Sequence, residues 1–386
     1  MEQKFIAFAL PDIGDEEIDS VVATMRSGWV TTGPKTYEFE KEFATYLGGN
    51  VEAIAVNSAT AGLHLALEAC EIKSGDEVIV PTLTFTASAE VVRYLGADPV
   101  FIDCDPITLN LDIKQLEAKI TPKTKAIIPV HFAGLACDME QILAIARKHN
   151  LKVIEDAAHA LPSKINNTLI GQHASDAIVF SFYATKTITT GEGGMIVTKN
   201  QAIANRCKTM RLHGINRNAF DRYVSTKPSW YYEVVAPGYK YNLTDIASAI
   251  GLAQLAKADR FHKRRTQMAE RYFSELKSLP LKMPPNVANH KTDIHSWHLF
   301  VINLLPSANM LRDEFIARMS AAKIGTSVHF IPLHLQPYWK NTYNLDSLDF
   351  PHATNYYHTA VSLPIYTKMS DQQQEYIIET IKQILM

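Results

Sequence analysis

Between about residue 50 and residue 156 the chain repeats one unit, a short apolar run followed by a helical pattern. EAIAVNS leads into TAGLHLALEAC, and DEVIVPT leads into TASAEVVRYLG, after which comes PVFID. TKAIIPVHF is followed by DMEQILAIARKHN and then by LKVIED. Runs without polar alternation need cover on both faces, and strands separated by helices return parallel. The pattern therefore predicts an open α/β sheet, whose ligands sit beyond the carboxyl ends of its strands.

After residue 170 the rhythm changes. DAIVFSFYATK and GGMIVTK are β runs joined by TITTGEG, a hairpin-like or tight-crossing unit. A long helical stretch starts at about Asp245, and its charged portion KADRFHKRR reads as a solvated helix face. Beyond Pro280 a smaller α+β unit is expected, with WHLFVINLL and TSVHFI as strands and DQQQEYIIETIKQILM as the closing helix. Residues 1–255 would form the large domain, and residues 256–386 the linking helix and small C-terminal domain. At 386 residues the chain is long enough for both.

A formal net charge of −2 gives no general pull toward nucleic acid or anionic membrane. No run approaches the ~20 apolar residues of a membrane span, and FIAFAL near the start is too short for a signal peptide. A cytoplasmic protein is expected. The four cysteines are far apart, which fits buried thiols better than disulfides or a zinc site, and no metal is expected.

Four features lie at predicted strand ends. LKVIED ends in Glu155 and Asp156, and an acid there faces the ligand cleft, although Asp156 also suits a helix N-cap before AAHA. His159 follows, and alone it reads as a satisfied polar residue. Lys186 follows DAIVFSF, where a desolvated amine can form an imine, although a single lysine is more often a surface group. Ser58, Ala59 and Thr60 open a helix whose backbone N–H groups suit a phosphate, and they equally suit an ordinary cap. Phe85 follows another strand and can cover a planar ring or fill a core. An imine-forming amine, an acid, a phosphate cradle and a stacking ring are together what pyridoxal phosphate requires.

The motifs SGWVTTGPKTYEFE, NSATAGLHLAL, PTLTFTAS, TKAIIPVHFAG, VIEDAAHA, FSFYATKTITTGEGG, GYKYNLTDIASAIGLAQL and VHFIPLHLQPYW, in this order, resemble the DegT/DnrJ/EryC1/StrS nucleotide-sugar aminotransferases. That resemblance runs essentially end to end. It implies an aspartate-aminotransferase-like fold of type I, with pyridoxal 5′-phosphate cycling through its pyridoxamine form. It further implies that Lys186 holds the cofactor as a Schiff base and shuttles the proton, and that Asp156 pairs with the pyridine nitrogen. His159 would lie near the phenolic oxygen and Phe85 would stack on the ring. Ala59, Thr60 and Ser181 would hold the phosphate, and Asn242 would reach it from the partner of a homodimer. Thr32, Gly33 and His329 would contribute to the substrate pocket. The sugar diphosphate needs cations, and Arg217 or Lys240 can serve, although each reads equally as a surface group.

By the same resemblance the amino donor is L-glutamate, leaving as 2-oxoglutarate. The acceptor is a UDP-linked 4-keto sugar, a pentose or a 6-deoxy-N-acetylhexosamine, destined for cell-surface glycan or lipopolysaccharide. The branch that makes UDP-4-amino-4-deoxy-arabinose is the most similar. Tyr183 and Thr187 stand where many relatives carry His and Asn, which bears on the substrate and not on the chemistry. A dehydratase branch has histidine in place of the lysine, and Lys186 argues against that alternative.

Overall fold

The computed structural model describes residues 4–216, 231–286 and 292–386. A seven-stranded sheet forms the larger layer. Its strands are β1 (Glu52–Val56), β2 (Glu77–Pro81), β3 (Asp98–Ile102), β4 (Thr124–Ile127), β5 (Lys152–Asp156), β6 (Ala177–Ser181) and β7 (Gly194–Thr198). They lie in the order β1-β7-β6-β5-β4-β2-β3. The block from β3 to β6 is parallel, and β7 runs antiparallel to both of its neighbours. The expected α/β class, the mainly parallel sheet and the β6–β7 return are thus all present.

Reversal of β7 matters for the site. It puts the amino end of β7 on the same sheet edge as the carboxyl ends of the parallel strands. In sequence the reversal costs only the segment 182–193, which is pinned by backbone bonds from Phe182 N to Gly193 O (2.9 Å) and from Thr190 N to Phe182 O (3.0 Å). Gly191 turns there at φ 80°, a left-handed conformation that glycine adopts without a Cβ clash.

Helices cover both faces. On one face α1 (Ala59–Ala69) packs Leu63, Leu65 and Leu67 against Ile54, Val80 and Val179. On the other, Phe39, Phe43, Phe180 and Phe182 form an edge-to-face aromatic core. The helical stretch after Asp245 is two helices, α2 (Asp245–Leu255) and α3 (Ala258–Leu276), interrupted at Ala256 and Lys257. Helix α3 begins in the core beneath the large sheet through Ala258 and Phe261 and ends in a second core through Met268, Tyr272 and Leu276. We propose that the two domains divide near its start, at residues 255–256. The N-terminal segment crosses to the second core, where Ile6 bridges Ile324.

The KADRFHKRR stretch is only partly solvated, contrary to its reading as a charged face. Lys257 pairs with the buried Glu17, and Arg265 is buried, donating to the carbonyls of Trp297 (3.1 Å), His298 (3.4 Å) and Ile365 (2.8 Å). Charge patterning cannot tell a solvated arginine from one that finds carbonyls far along the chain.

The smaller sheet is antiparallel, with strands Leu281–Lys282, Phe300–Leu304 and Ala360–Leu363 in sequential order. WHLFVINLL supplies its centre. TSVHFI, expected as a strand, is not one: only Ser327 bridges the sheet, at Ser362. The rest of that segment turns its bonding elsewhere. His329 Nδ1 meets Ser362 Oγ at 2.9 Å, and Tyr356 donates its hydroxyl to the His329 carbonyl at 2.8 Å. All four cysteines are buried and unpaired, as expected. Among the described residues no helix is long and apolar enough to cross a membrane.

Candidate active site

A cavity of about 380 Å³ opens at the carboxyl edge of the large sheet. Its lining brings together Ala59, Thr60, Phe85, Asp156, His159, Ser181, Lys186 and His329, eight of the residues singled out from sequence. All but His329, which comes from the irregular segment after Ser327, arrive near strand ends of the large sheet. Asp156 closes β5, Ser181 closes β6, Ser58 follows β1 by two residues, and Phe85 sits on the turn after β2.

Asp156 is buried, and both of its carboxylate oxygens are used. Oδ2 accepts from Ser88 Oγ at 2.7 Å and Oδ1 from the Ala158 N–H at 3.1 Å. Ser88 is fixed in turn by Thr84 Oγ1 at 2.9 Å. The local capping bond and the cleft position therefore coexist in one residue. Glu155 points to the opposite face of the strand, where it is fully buried against His131 (2.8 Å) and Ser175 (2.5 Å). Burial alone would raise its carboxyl, and the histidine contacts outweigh that and hold it at about 2.

Lys186 stands on the pinned return, its backbone N–H bonded to Tyr183 O at 3.0 Å. Burial pushes its amine down to about 8, against the opposing attraction of Asp156. Three histidines share the cavity. His159 lies tilted against His298, with ring centroids 4.3 Å apart, and its Nδ1 receives the Ala133 N–H at 3.3 Å. Burial holds His159 and His298 well below their ordinary range, helped by the nearby Lys186, and pushes His329 down to about 4. The three histidines around the amine are therefore polar and uncharged, while Asp156 and Glu192 also line the cavity.

At the other end of the cavity α1 begins at Ala59. Ser58 Oγ accepts from the Ala61 N–H at 3.1 Å. That leaves the N–H groups of Ala59 and Thr60 at the helix start, where no intrahelical acceptor exists and the macrodipole favours an anion. The first residue of β7 passes directly beneath: a Cβ on Gly194 would stand 2.8 Å from Ala59 N and 2.8 Å from Ser58 C. Only glycine lets the strand and the helix start approach this closely. Gly194→Ala is expected to displace that turn and weaken retention of a phosphorylated ligand by about tenfold, read as the equilibrium constant for pyridoxal phosphate release.

Phe85 is 58% exposed, a large apolar ring left on the cavity mouth with Phe330 tilted at 5.9 Å. A core role for Phe85 is excluded, and a ring-covering role is open to it. The cavity thus offers an amine of lowered basicity, an anchored carboxylate, a helix-start anion cradle and an uncovered aromatic face. This donor set fits pyridoxal phosphate and holds each group on a different strand end.

Three of the proposed residues lie outside this cavity in their own chain. Asn242, Thr32 and Gly33 form a separate cluster around Asp245. There Asn242 Nδ2 donates to Thr32 Oγ1 at 2.6 Å, Thr32 donates to the Leu243 carbonyl, and Gly33 N–H reaches Asp245 Oδ1 at 2.7 Å. Lys240 also does not line the cavity. Arg217 lies outside the described residues. Sequence reasoning missed Ser88, whose contact with Asp156 spans 68 positions, although it lies inside the motif PTLTFTAS. It also missed His298, which no local pattern marks. The Nδ1 of His298 is buried without a hydrogen-bond partner, a condition that costs roughly 1–3 kcal/mol.

The family model described as the DegT/DnrJ/EryC1/StrS aminotransferase family matches residues 11–382. The spore coat polysaccharide biosynthesis protein SpsC of Bacillus subtilis is 46% identical over 383 residues, covering 99% of this chain and 97% of that protein. The putative sugar aminotransferase Spr1654 of Streptococcus pneumoniae, solved in PMP and PLP forms, superposes with TM-scores of 0.90 and 0.89; the PMP form is 35% identical, with 98% of each chain covered. PseC of Helicobacter pylori, an aminotransferase involved in the biosynthesis of pseudoaminic acid, superposes at 0.89 with 28% identity and 99% of each chain covered. With the cavity's donor set and these matches in agreement, the chain belongs to the DegT/DnrJ/EryC1/StrS aminotransferase family and is a pyridoxal-phosphate-dependent sugar aminotransferase.

Proposed function

We propose that the chain moves an amino group from L-glutamate to the 4-keto carbon of a UDP-linked sugar, a 6-deoxy-N-acetylhexosamine or a pentose, in the making of a cell-surface glycan or lipopolysaccharide. The observation that carries this reading is the placement of Lys186, an amine brought down to about 8 on a pinned turn, among uncharged histidines at the same sheet edge as Asp156. The coverage of SpsC, a polysaccharide biosynthesis protein, supports a sugar product bound for the cell surface.

Pyridoxal phosphate, when bound, supplies the electron sink through which an amine and a proton pass from donor to acceptor. The residues of the chain divide the remaining work. Ala59 and Thr60 would offer backbone N–H groups to the phosphate, and Ser181 its hydroxyl. Asp156, held by Ser88 and Ala158, would keep a proton on the pyridine nitrogen. Phe85 would cover one ring face, and His159 would lie near the phenolic oxygen. Lys186 accepts a proton at Nζ from the donor carbon and returns it to the acceptor carbon. His329, lining the same cavity, meets the sugar.

The cluster of Asn242, Thr32 and Gly33 fits a shared site. It is ordered by Asp245 yet apart from its own cavity, so a second copy of the chain in a homodimer brings Asn242 to the phosphate and Thr32 and Gly33 to the substrate. The reading is tested by incubating the holoenzyme with glutamate and a panel of UDP-4-keto sugars, followed by mass spectrometry. One sugar is expected to gain an amine. If none does while glutamate still bleaches the absorbance of the bound cofactor, the nucleotide-sugar assignment is wrong.

A further inference from the structure

We propose that His298 is a binding residue for the acceptor, its imidazole hydrogen-bonding an uncharged oxygen of the sugar, a hydroxyl or the carbonyl. The proposal rests on the sugar-aminating reading above and names a contact that neither the motifs nor the family match assigns.

His298 is 5% exposed and lines the cavity beside Lys186, His159 and His329. Nothing in the described chain uses its nitrogens. Nδ1 is sealed off without a partner, and no hydrogen bond engages Nε2. Its ring contact is with His159, tilted at 35° with centroids 4.3 Å apart. A phenyl ring packs as well without the desolvation of two polar atoms, so ring packing does not explain a histidine here. A buried polar ring that the chain leaves unpaired requires a reason, and a cavity ligand meeting Nε2, the nitrogen that is not sealed off, supplies one.

The backbone is held for that task. Trp297, immediately before, sits at φ 52°, a left-handed conformation that is unfavourable for a bulky residue. Its indole is stacked on His295 at 3.8 Å. Arg265 clamps the carbonyls of both Trp297 and His298 from α3. Strain of this kind persists only where surrounding contacts over-determine it, and such positions gather at functional sites.

The chemistry selects the ligand atom. Burial keeps the ring uncharged, so it has no charge with which to attract the carboxylates of an amino-acid donor. A neutral imidazole suits a neutral oxygen, and the sugar brings several of these close to the carbon that Lys186 must reach.

The test uses the holoenzyme with the UDP-4-keto sugar that wild type aminates and with its 4-amino product. His298→Phe keeps a flat neutral ring on His159 and removes the nitrogens. The melting temperature and the absorbance of the bound cofactor should remain near wild type. The dissociation constant of the amino-sugar product, measured by calorimetry, should rise about tenfold, the loss of one hydrogen bond. In single turnovers the sugar half-reaction should fall by at least about tenfold more than the glutamate half-reaction. His298→Asn, which restores a donor, should recover part of both, and it carries the test if the phenylalanine variant fails to fold. An unchanged product affinity overturns the proposal. Equal losses in both half-reactions also overturn it and leave His298 a structural residue. A wild type that aminates no sugar overturns the underlying reading, and this proposal with it.

Discussion

Lys186→Ala is expected to abolish the absorbance band of covalently held cofactor and to lower turnover by at least about a thousand-fold. The size of the effect follows from the two tasks that fall on one nitrogen. In the proposed function Lys186 Nζ bonds the cofactor and then carries the proton between donor and acceptor carbons. Both tasks need the neutral amine. With the amine at about 8, roughly a tenth is neutral at pH 7, whereas an ordinary lysine near 10.5 offers about one part in three thousand. The cause is burial, opposed by Asp156, so the sign of the pH dependence is fixed. Capture of pyridoxal phosphate by apoenzyme should accelerate as pH rises through about 8 and level off above it. Acceleration that continues toward 10.5 would show that the amine is solvated and that the cavity does not activate it. An alanine variant that keeps its turnover would remove Lys186 from the chemistry altogether.

Much of this site was legible because its parts are local. Asp156, Lys186, Ser58–Thr60 and Phe85 each stand within a few residues of a strand that announces itself by unbroken apolar runs, and the parallel order of β2 to β6 brings those ends to one edge. The return of β7 was legible only in part, since TITTGEG reads equally as a hairpin or a tight crossing. What was not legible spans long separations. Ser88 reaches Asp156 across 68 positions, and Arg265 reaches the His298 carbonyl across 33 and Ile365 across 100. Arg265 sits in a run of charges whose pattern is that of a solvated face, and only carbonyls distant in sequence turn it inward. TSVHFI has the composition of a strand, yet its backbone and side chains serve His329 and the cavity in place of a ladder. Ala360–Leu363, the strand that pairs with Phe300–Leu304, carries too few residues to stand out from its helical neighbours.

Asp156→Asn should lower turnover by about a hundred-fold or more, the scale on which a preorganised charge acts in a water-poor site. The substitution keeps shape and burial while changing what the oxygens can do. At present Oδ2 accepts from Ser88 and Oδ1 from the Ala158 N–H, so the carboxylate is held in one orientation with its charge directed into the cavity. An amide in that place turns one acceptor into a donor. It then faces either the Ala158 N–H or the protonated pyridine nitrogen with like polarity, and it supplies no negative charge to hold a proton there. The neighbouring groups do not compensate, because the three cavity histidines are held uncharged and Glu155 is turned to the far face against His131. Ser88→Ala isolates the second contribution. It removes the 2.7 Å bond and leaves the charge, so its cost should be nearer tenfold. Steady-state rates, together with the spectrum of the bound cofactor, separate the two variants. The asparagine variant should retain the covalent band through Lys186 yet turn over slowly, and the alanine variant should resemble wild type with a modest loss. If Ser88→Ala proves as damaging as Asp156→Asn, orientation of the carboxylate outweighs its charge. A fully active Asp156→Asn would remove the proton-holding role from this residue.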